Sequence, residues 1–361
     1  MGKLKKALGV MFSLLALTIL GACGSSNSKG EAAGKSDETY ELTVNNWAAS
    51  THHYAYNVFE PWAKMVEEKT DGRVKVTLYH GSSLGKSTSV YQDVKGGLYD
   101  VGLIVPNYFY DTDFFPYTIG NLPFAFEGPT EAANVLEKFV DKYGKGDLSK
   151  DVVVMPTSAT DGYDIFSTKP VKEISDLKNT KMRVNGKSEI AFVEALGGVP
   201  VSLSIEDTYE ALQKGTINTT FYTPIGAVGT KFDEPAPYIT KLAISVTPIT
   251  PIMNKDFYEG LPDDLKQIFD QELNPALTQL ITDSYEKELE ASHKTLAEEV
   301  KGRGEFIELS EDQLNDFRSY AEPAWEEWLK DAKSKGYDAD AMLTDLNSLL
   351  EEAGYKIPYE K

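Results

Sequence analysis

The chain is poor in the residues that most often build metal centres and disulfides. Its 361 residues include one cysteine, Cys23, and four histidines, His52, His53, His80 and His293. A single thiol cannot close a disulfide within the chain, and no H-x₃-H or H-E-x-x-H spacing joins the histidines. The sequence therefore excludes a cysteine cage, and a zinc or manganese receptor is a poor interpretation. We predict no metal and no cofactor.

The sequence also lacks two common phosphate-binding patterns. It has no G-x-x-x-x-G-K-[ST] loop and no G-x-G-x-x-G that follows a strand. Acid–base pairs could be assembled from its 56 acidic residues, but such pairs follow from their number alone. We therefore predict that the protein is not an enzyme, and a secreted hydrolase is the alternative from another functional class.

Basic residues are in the minority. The 36 lysines and arginines stand against 56 aspartates and glutamates, which gives a formal net charge of −20. Loss of residues 1–22 would remove three lysines and no acid, and would bring this charge to −23. Because so acidic a surface repels phosphate backbones and anionic headgroups, we predict no nucleic-acid partner and no peripheral docking on membranes.

Apolar runs of membrane length are absent after residue 20. Before it, a basic stretch with Lys3, Lys5 and Lys6 precedes an apolar run over residues 7–20. This run is short for a bilayer span, and the pattern is typical of a secretory signal. We therefore predict that the protein is exported.

The residues after the apolar run, Leu20-Gly21-Ala22-Cys23, resemble a bacterial lipobox, in which the chain is cut before a lipidated cysteine. The stretch that follows is rich in Gly, Ser, Ala and Lys, as flexible tethers are. We predict a signal peptide over residues 1–22, a tether over 23–38 and a lipid on Cys23 that holds the protein at the cell membrane. A buried N-terminal helix with an incidental cysteine is the alternative.

Strand-like and helix-like segments alternate in the remaining chain. Residues 74–79 alternate between apolar and polar side chains, which is typical of a half-buried strand, and 101–105 are continuously apolar, as in a central strand. Further strands are expected at 181–184 and 242–246. The alternation predicts an α/β protein. We assign lobe I to residues 39–162 and 248–285, and lobe II to residues 163–247 and 286–361.

One segment has a helical pattern much longer than usual. From Asp263 to about Val300, apolar residues recur at helical spacing, and only Pro275 interrupts them. Proline lacks the N–H that an inner helical turn needs, so we expect a kink there. A helix of this length can lie across both lobes.

Several short motifs, taken together and in order, resemble the solute receptors of TRAP transporters of the DctP type. They are Asp71-Gly72-Arg73-Val74-Lys75-Val76, Gly97-Leu98-Tyr99-Asp100-Val101, Leu122-Pro123-Phe124, Lys181-Met182-Arg183-Val184, Ala195-Leu196-Gly197-Gly198 and Glu206-Asp207-Thr208-Tyr209-Glu210-Ala211-Leu212-Gln213-Lys214-Gly215.

The resemblance implies a two-lobed fold like that of periplasmic binding proteins, with a long helix spanning both lobes. It also implies capture of a small organic acid or zwitterion and its delivery to a TRAP-type membrane permease driven by an ion gradient. A solute-binding lipoprotein of an ABC transporter is the alternative among binding proteins, and the helix from Asp263 disfavours it.

The resemblance also implies a role for Arg183. In the family, the arginine of the K-x-R-V stretch forms a bidentate pair with the carboxylate of the solute, a geometry that lysine cannot match. The alternative is a structural arginine paired with an acid of the protein.

At Gly162-Tyr163-Asp164 the sequence departs from the G-x-R of the family, because an acid stands where a second solute-facing arginine is expected. If Asp164 shares the cleft with Arg183, the two either pair or each meets an opposite charge on the solute. Both outcomes disfavour a plain dicarboxylate.

Aromatic side chains are the remaining candidates for the binding cleft. Phe221 and Tyr222 replace polar residues of the family and suggest a wall that packs on the solute, with core packing as the alternative. Trp47 and His52 lie in the loop after the first strand, and Tyr108 follows the central strand at 101–105. We predict all five as ligand-binding residues.

The anchor prediction is tested by changing Cys23 to Ala. Without a thiol to lipidate, the exported protein should stay folded but leave the membrane fraction, as measured by fractionation and circular dichroism. A Ser25→Ala variant of the tether is the control and should stay with the membranes. Retention of the Cys23→Ala protein in that fraction would contradict the prediction.

Overall fold

The structure, a computed structural model, describes residues 38–144 and 148–360. The predicted signal peptide, Cys23 and nearly all of the tether lie outside these residues. The strands are β1 (Tyr40–Asn46), β2 (Val74–His80), β3 (Val101–Ile104), β4 (Val152–Val154), β5 (Ser158–Ala159), β6 (Asp164–Ser167), β7 (Lys181–Val184), β8 (Val199–Ser202), β9 (Thr219–Tyr222), β10 (Tyr238–Lys241), β11 (Pro248–Asn254) and β12 (Glu305–Glu308).

The described α-helices are α1 (Glu60–Lys69), α2 (Val90–Lys95), α3 (Pro129–Tyr143), α4 (Lys187–Ala195), α5 (Thr208–Gln213), α6 (Pro224–Thr230), α7 (Lys255–Gly260), α8 (Asp263–Ile268), α9 (Asn274–Glu299), α10 (Glu311–Ser319), α11 (Glu322–Ser334) and α12 (Ala339–Ala353). Turns of 3₁₀-helix lie at Pro106–Phe109, Phe115–Asn121 and Ile174–Leu177, and π-helical turns at Tyr54–Phe59 and Phe269–Leu273.

Two separate sheets form the cores of the two lobes. The first has the strand order β2-β1-β3-β11-β4, with β5 paired to the other end of β11. The second has the order β12-β10-β6-β9-β7-β8. Helices cover both sheets, as the alternating pattern of the sequence predicted, and the α/β fold class is confirmed.

Burial along the strands of the first sheet follows their position. Strand β3 lies in the middle of the sheet, and all four of its residues are buried, which fits its continuously apolar sequence. Strand β2 lies at the edge, where Val74 is buried and Lys75 exposed. The two strand predictions at 74–79 and 101–105 are therefore confirmed.

Two extended segments, residues 160–163 and 242–247, connect the sheets side by side. The backbone N–H of Tyr163 donates to Ser245 O at 2.8 Å, and the N–H of Ile244 donates to Tyr163 O at 2.9 Å. The strand predicted at 242–246 is therefore wrong as a sheet strand, because β10 ends at Lys241 and the residues that follow pair with the other connection. The predicted lobe boundaries at 162–163 and 247–248 fall in these connections.

The two connections are in close contact at Gly162. A Cβ atom placed there would lie 2.8 Å from the Cβ and 2.9 Å from the Cα of Ala243. Ala243 has a positive φ of 50°, which is unusual for a residue with a side chain. Glycine at 162 therefore allows the chain to cross between the lobes at this point.

The long helical segment predicted from Asp263 is present. Helix α8, the π-helical turn Phe269–Leu273 and helix α9 follow one another without a break up to Glu299. Pro275 is in the first turn of α9, so its missing N–H coincides with the π-helical turn. The carbonyl of Leu273 accepts from Trp62 Nε1 at 2.8 Å beside the first sheet, and His293 bonds to Asp164 of the second.

The last two helices pack beside the first sheet, and α11 also packs on α4 of the second lobe. In α11, Trp325 Nε1 donates to Pro123 O at 3.1 Å and Trp328 Nε1 donates to Thr118 Oγ1 at 2.9 Å. Helix α12 packs on α3, whereas β12 joins the second sheet. The range 286–361, assigned to lobe II from the sequence, thus contributes to both sides. None of the described helices has the length and apolar character that crossing a membrane requires.

The close contact between Gly162 and Ala243 predicts that changing Gly162 to Ala destabilises the protein. The added methyl group would press on the Ala243 backbone, and overpacking of this kind costs about 1–3 kcal/mol. The midpoint of urea unfolding should fall accordingly. Gly260→Ala is the control, since nothing lies within 4 Å of a Cβ there, and its midpoint should stay the same or rise slightly. Equal midpoints for the two variants would contradict the close approach.

Candidate functional site

A cleft lies between the two sheets, and its outer part is a cavity of about 500 Å³. The loops after β1 and β2 supply one wall, and residues that follow β8 and β9 supply the other. The wall contains Trp47, Ala48, Ala49, His52, Gly81, Ser82, Lys86, Ile205, Glu206, Asp207, Tyr209, Tyr222, Gly229, Thr230 and Phe232.

An inner cavity of about 20 Å³ adjoins the outer one and shares three wall residues with it, Trp47, Ile205 and Tyr222. The remaining wall residues are Tyr54, Val105, Tyr108, Thr160, Tyr163, Arg183, Asn185, Thr223, Thr247, Ile249 and Tyr285. Both connections between the sheets therefore contribute residues to the wall of this cavity.

Arg183 projects from β7 into the inner cavity and is only 1% exposed. Its Nε donates to Leu203 O at 3.1 Å, and its Nη2 donates to the hydroxyl of Tyr108 at 2.7 Å. Burial lowers the pKa of Arg183, but nearby Tyr108 and Glu189 raise it, and the net change is upward. No acid among the described residues forms an ion pair with this guanidinium.

Glu189 is the acid whose charge acts most strongly on Arg183. Burial raises the pKa of Glu189 to about 7, although the charge of Arg183 lowers it. One carboxylate oxygen, Oε2, accepts from the backbone N–H of Asn185 at 2.7 Å. Glu189 therefore holds the chain after β7 in place, and it does not neutralise Arg183 by direct contact.

Phe221 and Tyr222, neighbours on β9, point in opposite directions. Tyr222 lines both cavities, whereas Phe221 packs in the core with its ring centroid 6.1 Å from that of Phe192. Side chains alternate along a strand, so only one of the two can face the cleft. Tyr222 therefore faces the cleft and Phe221 the core, and the binding role of Tyr222 stays a prediction.

The two adjacent histidines also have different surroundings. His52 lines the outer cavity beside Trp47, whereas His53 bonds through Nδ1 to Ser284 Oγ of the long helix at 2.8 Å. Burial lowers the pKa of His52 to about 3, so its ring is neutral at physiological pH. Trp47 Nε1 donates to Leu103 O at 3.1 Å, which fixes the indole against β3.

Asp164 does not reach either cavity, contrary to its predicted position beside Arg183. Its Oδ1 accepts from the backbone N–H groups of Leu242 and Ala243 at 2.9 and 3.2 Å, and its Oδ2 lies 2.7 Å from His293 Nε2. Tyr163, the residue before it, lines the inner cavity, whereas Asp164 is not among the residues that line either cavity. Its carboxylate therefore neither pairs with Arg183 nor faces a solute, and it holds the connection at 242–243 against the long helix.

Polar contacts across the cleft mouth were not foreseen from the sequence. Glu206 accepts through Oε1 from the backbone N–H of Ser87 at 2.7 Å and through Oε2 from the Ser87 hydroxyl at 2.9 Å. Beside it, Lys86 Nζ lies 2.9 Å from Asp207 Oδ1. No local pattern in the sequence pairs residues 206–207 with residues 86–87.

Tyrosines dominate the inner cavity, and the sequence identified only Tyr108 and Tyr222 among them. Tyr54, Tyr163 and Tyr285 also line it, and the hydroxyls of Tyr54 and Tyr285 are 2.6 Å apart. Burial raises the pKa of all five phenols, so they are neutral at physiological pH. The cavity thus offers neutral hydroxyls and aromatic surfaces around one arginine.

The described residues contain no cluster of three His, Cys, Asp or Glu side chains that could hold a metal. One hydrolase-like pattern escaped the sequence analysis, since residues 81–85 spell G-x-S-x-G. Ser83 of this pattern is exposed in a turn after β2, and α2 begins only at Val90. The sharp strand-to-helix turn of a nucleophile elbow is therefore not formed.

Two α/β lobes joined by paired connections, with a polar cavity between them, define a two-lobed binding protein. The sequence model of the DctP family, described as bacterial extracellular solute-binding protein, family 7, matches residues 45–331. The chain belongs to this family, and the resemblance to TRAP solute receptors is confirmed.

Known relatives show the same fold. A TRAP solute-binding protein of Rhodoferax ferrireducens T118, solved with copurified benzoate, superposes with a TM-score of 0.80 at 20% identity and covers 88% of this chain and 99% of its own. A TRAP periplasmic solute-binding protein of Desulfovibrio salexigens DSM2638, solved as an open complex, gives a TM-score of 0.70 at 27% identity, with 88% and 98% covered.

A curated relative is the 2,3-diketo-L-gulonate-binding periplasmic protein YiaO of Escherichia coli K12. It is 26% identical to this chain over 208 residues, which are 56% of this chain. The chain spans 62% of the length of that relative.

The cross-cleft contacts predict that Glu206→Ala favours separation of the lobes. The variant loses two hydrogen bonds to a charged acceptor, each worth about 1.5–3 kcal/mol. The radius of gyration from small-angle X-ray scattering should rise. Glu210→Ala is the control, because Glu210 pairs with Lys214 within α5 and its cap, and it should leave the radius unchanged. Identical scattering curves for the parent and Glu206→Ala proteins would contradict the prediction.

Proposed function

We propose that this protein captures a small organic carboxylate in the cleft between its lobes, beside Arg183, and delivers it to a TRAP-type membrane permease. The observation that carries the proposal is Arg183, a buried cation on the cavity wall whose described partners are a carbonyl and a hydroxyl. A buried charge is costly unless it meets an opposite charge. A solute carboxylate supplies that charge.

The geometry around Arg183 favours a carboxylate over other anions of similar size. The guanidinium is planar and has five N–H donors. The hydrogen bonds from Nε to Leu203 O and from Nη2 to Tyr108 fix the plane of the guanidinium. A planar carboxylate can then approach in the same plane and accept two parallel hydrogen bonds.

The aromatic wall and the relatives support the same class of solute. Tyr222 and Trp47 present large aromatic surfaces to both cavities. The Rhodoferax relative was solved with benzoate, and the Escherichia coli relative is a 2,3-diketo-L-gulonate-binding protein. Both compounds are monocarboxylates, and we extend this common feature to the solute of the present protein.

Export and lipid attachment through Cys23 belong to the same proposal. An anchored receptor would stay near a permease made of integral membrane subunits, one small and one large. Genes for two such subunits beside the gene of this protein would support the TRAP assignment, whereas a neighbouring ATPase gene would support the ABC alternative.

The position of Asp164 removes the earlier argument against dicarboxylates such as succinate or malate. That argument required the Asp164 carboxylate to face the second carboxylate of the solute. In the structure it is bonded to backbone N–H groups and to His293 instead. Selectivity between mono- and dicarboxylates therefore has to come from other wall residues.

The proposal predicts a large effect of changing Arg183 to Lys. A thermal-shift screen of carboxylates first identifies ligands, since saturating tight ligands stabilise by ~3–4 kcal/mol. Calorimetry with the best ligand should then show a loss of roughly tenfold to hundredfold in affinity, because lysine cannot form the bidentate pair.

Arg318→Lys is the matched control for this experiment. Arg318 pairs with Glu311 in α10, away from both cavities, and its substitution should leave the affinity unchanged. A screen in which no carboxylate stabilises the parent protein, or equal affinities for the parent and Arg183→Lys proteins, would contradict the proposed function.

A further inference from the structure

The space beside Arg183 is too small for a whole solute. The inner cavity has a volume of about 20 Å³, whereas the outer cavity has about 500 Å³. A cavity needs ~10–15 Å³ to hold one water molecule, and pockets for whole ligands occupy about 300–1,000 Å³. The inner cavity therefore takes little more than the two oxygen atoms of a carboxylate, and the rest of the solute has to lie in the outer cavity.

These volumes belong to a molecule whose lobes are in contact across the cleft. Ser87 donates to Glu206 from both its backbone N–H and its hydroxyl. Thr51 Oγ1, in the loop after β1, donates to Gly229 O of α6 at 3.2 Å. An enclosed solute has to fit the space that remains while these contacts between the lobes are formed.

The neck between the two cavities consists of the residues that both walls share, Trp47, Ile205 and Tyr222. Trp47 cannot turn away without breaking the hydrogen bond from its Nε1 to Leu103 O. The ring of Tyr222 lies against Gly226, where an added Cβ would be 2.7 Å from Tyr222 Cε1. Two of the three neck residues are therefore held in place by contacts outside the cavities.

The outer cavity offers surfaces for an apolar body and is unfavourable for a second carboxylate. The aromatic rings of Tyr222 and Phe232 lie on its wall. Among the charged residues of this wall, Lys86 pairs with Asp207 at 2.9 Å, and Glu206 is a further acid. A second carboxylate would therefore meet more negative than positive charge, which disfavours its binding.

We infer that the solute is a monocarboxylate with an unbranched carbon next to the carboxylate and an apolar or aromatic body beyond that carbon. This inference rests on the proposed function and narrows its solute class. With the carboxylate at Arg183, the carbon next to it lies in the neck, where a second substituent would press on the neck residues. Acids that carry an alkyl, amino or hydroxyl branch at this carbon are therefore disfavoured.

Three pairs of isomers test the inference, since the two members of each pair differ only in the position of one group. They are 3-phenylpropionate and 2-phenylpropionate, hexanoate and 2-ethylbutyrate, and 4-hydroxyphenylacetate and mandelate, with the unbranched acid first in each pair. Calorimetry gives the affinity ratio within each pair. The unmodified protein should prefer the unbranched isomer in at least one pair by about tenfold to two-hundredfold, the usual value of one methylene group in a hydrophobic pocket.

The Ile205→Ala variant should lose most of this preference, because a smaller side chain widens the neck and admits the branched isomer. The affinity ratio should fall by roughly tenfold. Ile174→Ala is the matched control, since Ile174 lies in the 3₁₀ turn Ile174–Leu177 and lines neither cavity. It should keep the ratio of the unmodified protein.

The measurement on the unmodified protein does not depend on the folding of either variant. The inference is overturned if no unbranched isomer is preferred, if none of the six acids binds, or if Ile205→Ala keeps the ratio of the unmodified protein. A compact carboxylate such as acetate or succinate that binds the unmodified protein and binds more weakly to Arg183→Lys would still uphold the proposed function.

Discussion

The buried charge of Arg183 is the constraint on which the organisation of the cleft depends. The side chain belongs to the second sheet, whereas Tyr108, which accepts from its Nη2 at 2.7 Å, follows a strand of the first. The hydrogen bond therefore joins the lobes next to the cavity. The guanidinium has only neutral hydrogen-bond partners, so its charge is not compensated within the protein. Such a cavity favours solutes that place a negative charge beside it.

The tyrosines allow this charge to be buried without being cancelled. Their hydroxyls orient toward a guanidinium or a carboxylate as required, and their rings exclude water from the cavity. Because burial keeps all five phenols protonated, they bring no competing negative charge. The proposed attraction between Arg183 and a solute carboxylate would be stronger in such surroundings than in water.

Hydrophobic periodicity was sufficient to predict both lobes, the strands at 74–79 and 101–105 and the long helix, because these features depend on local spacing. The contact of Glu206 with Ser87 and the bonds of Asp164 to residues 242–243 and His293 arise where distant segments meet. No local sequence pattern indicates contacts between distant segments, so the sequence did not predict these contacts.

The long helix is bonded to both lobes at nearby points along its axis. Ser284 Oγ shares a hydrogen bond with His53 Nδ1 beside the first sheet. His293 shares one with Asp164 of the second sheet. Nine residues of helix separate these points, a length of about 14 Å. Any rotation of one lobe against the other has to be absorbed as elastic bending of this stretch. The stiffness of this helical stretch therefore opposes rotation of one lobe against the other.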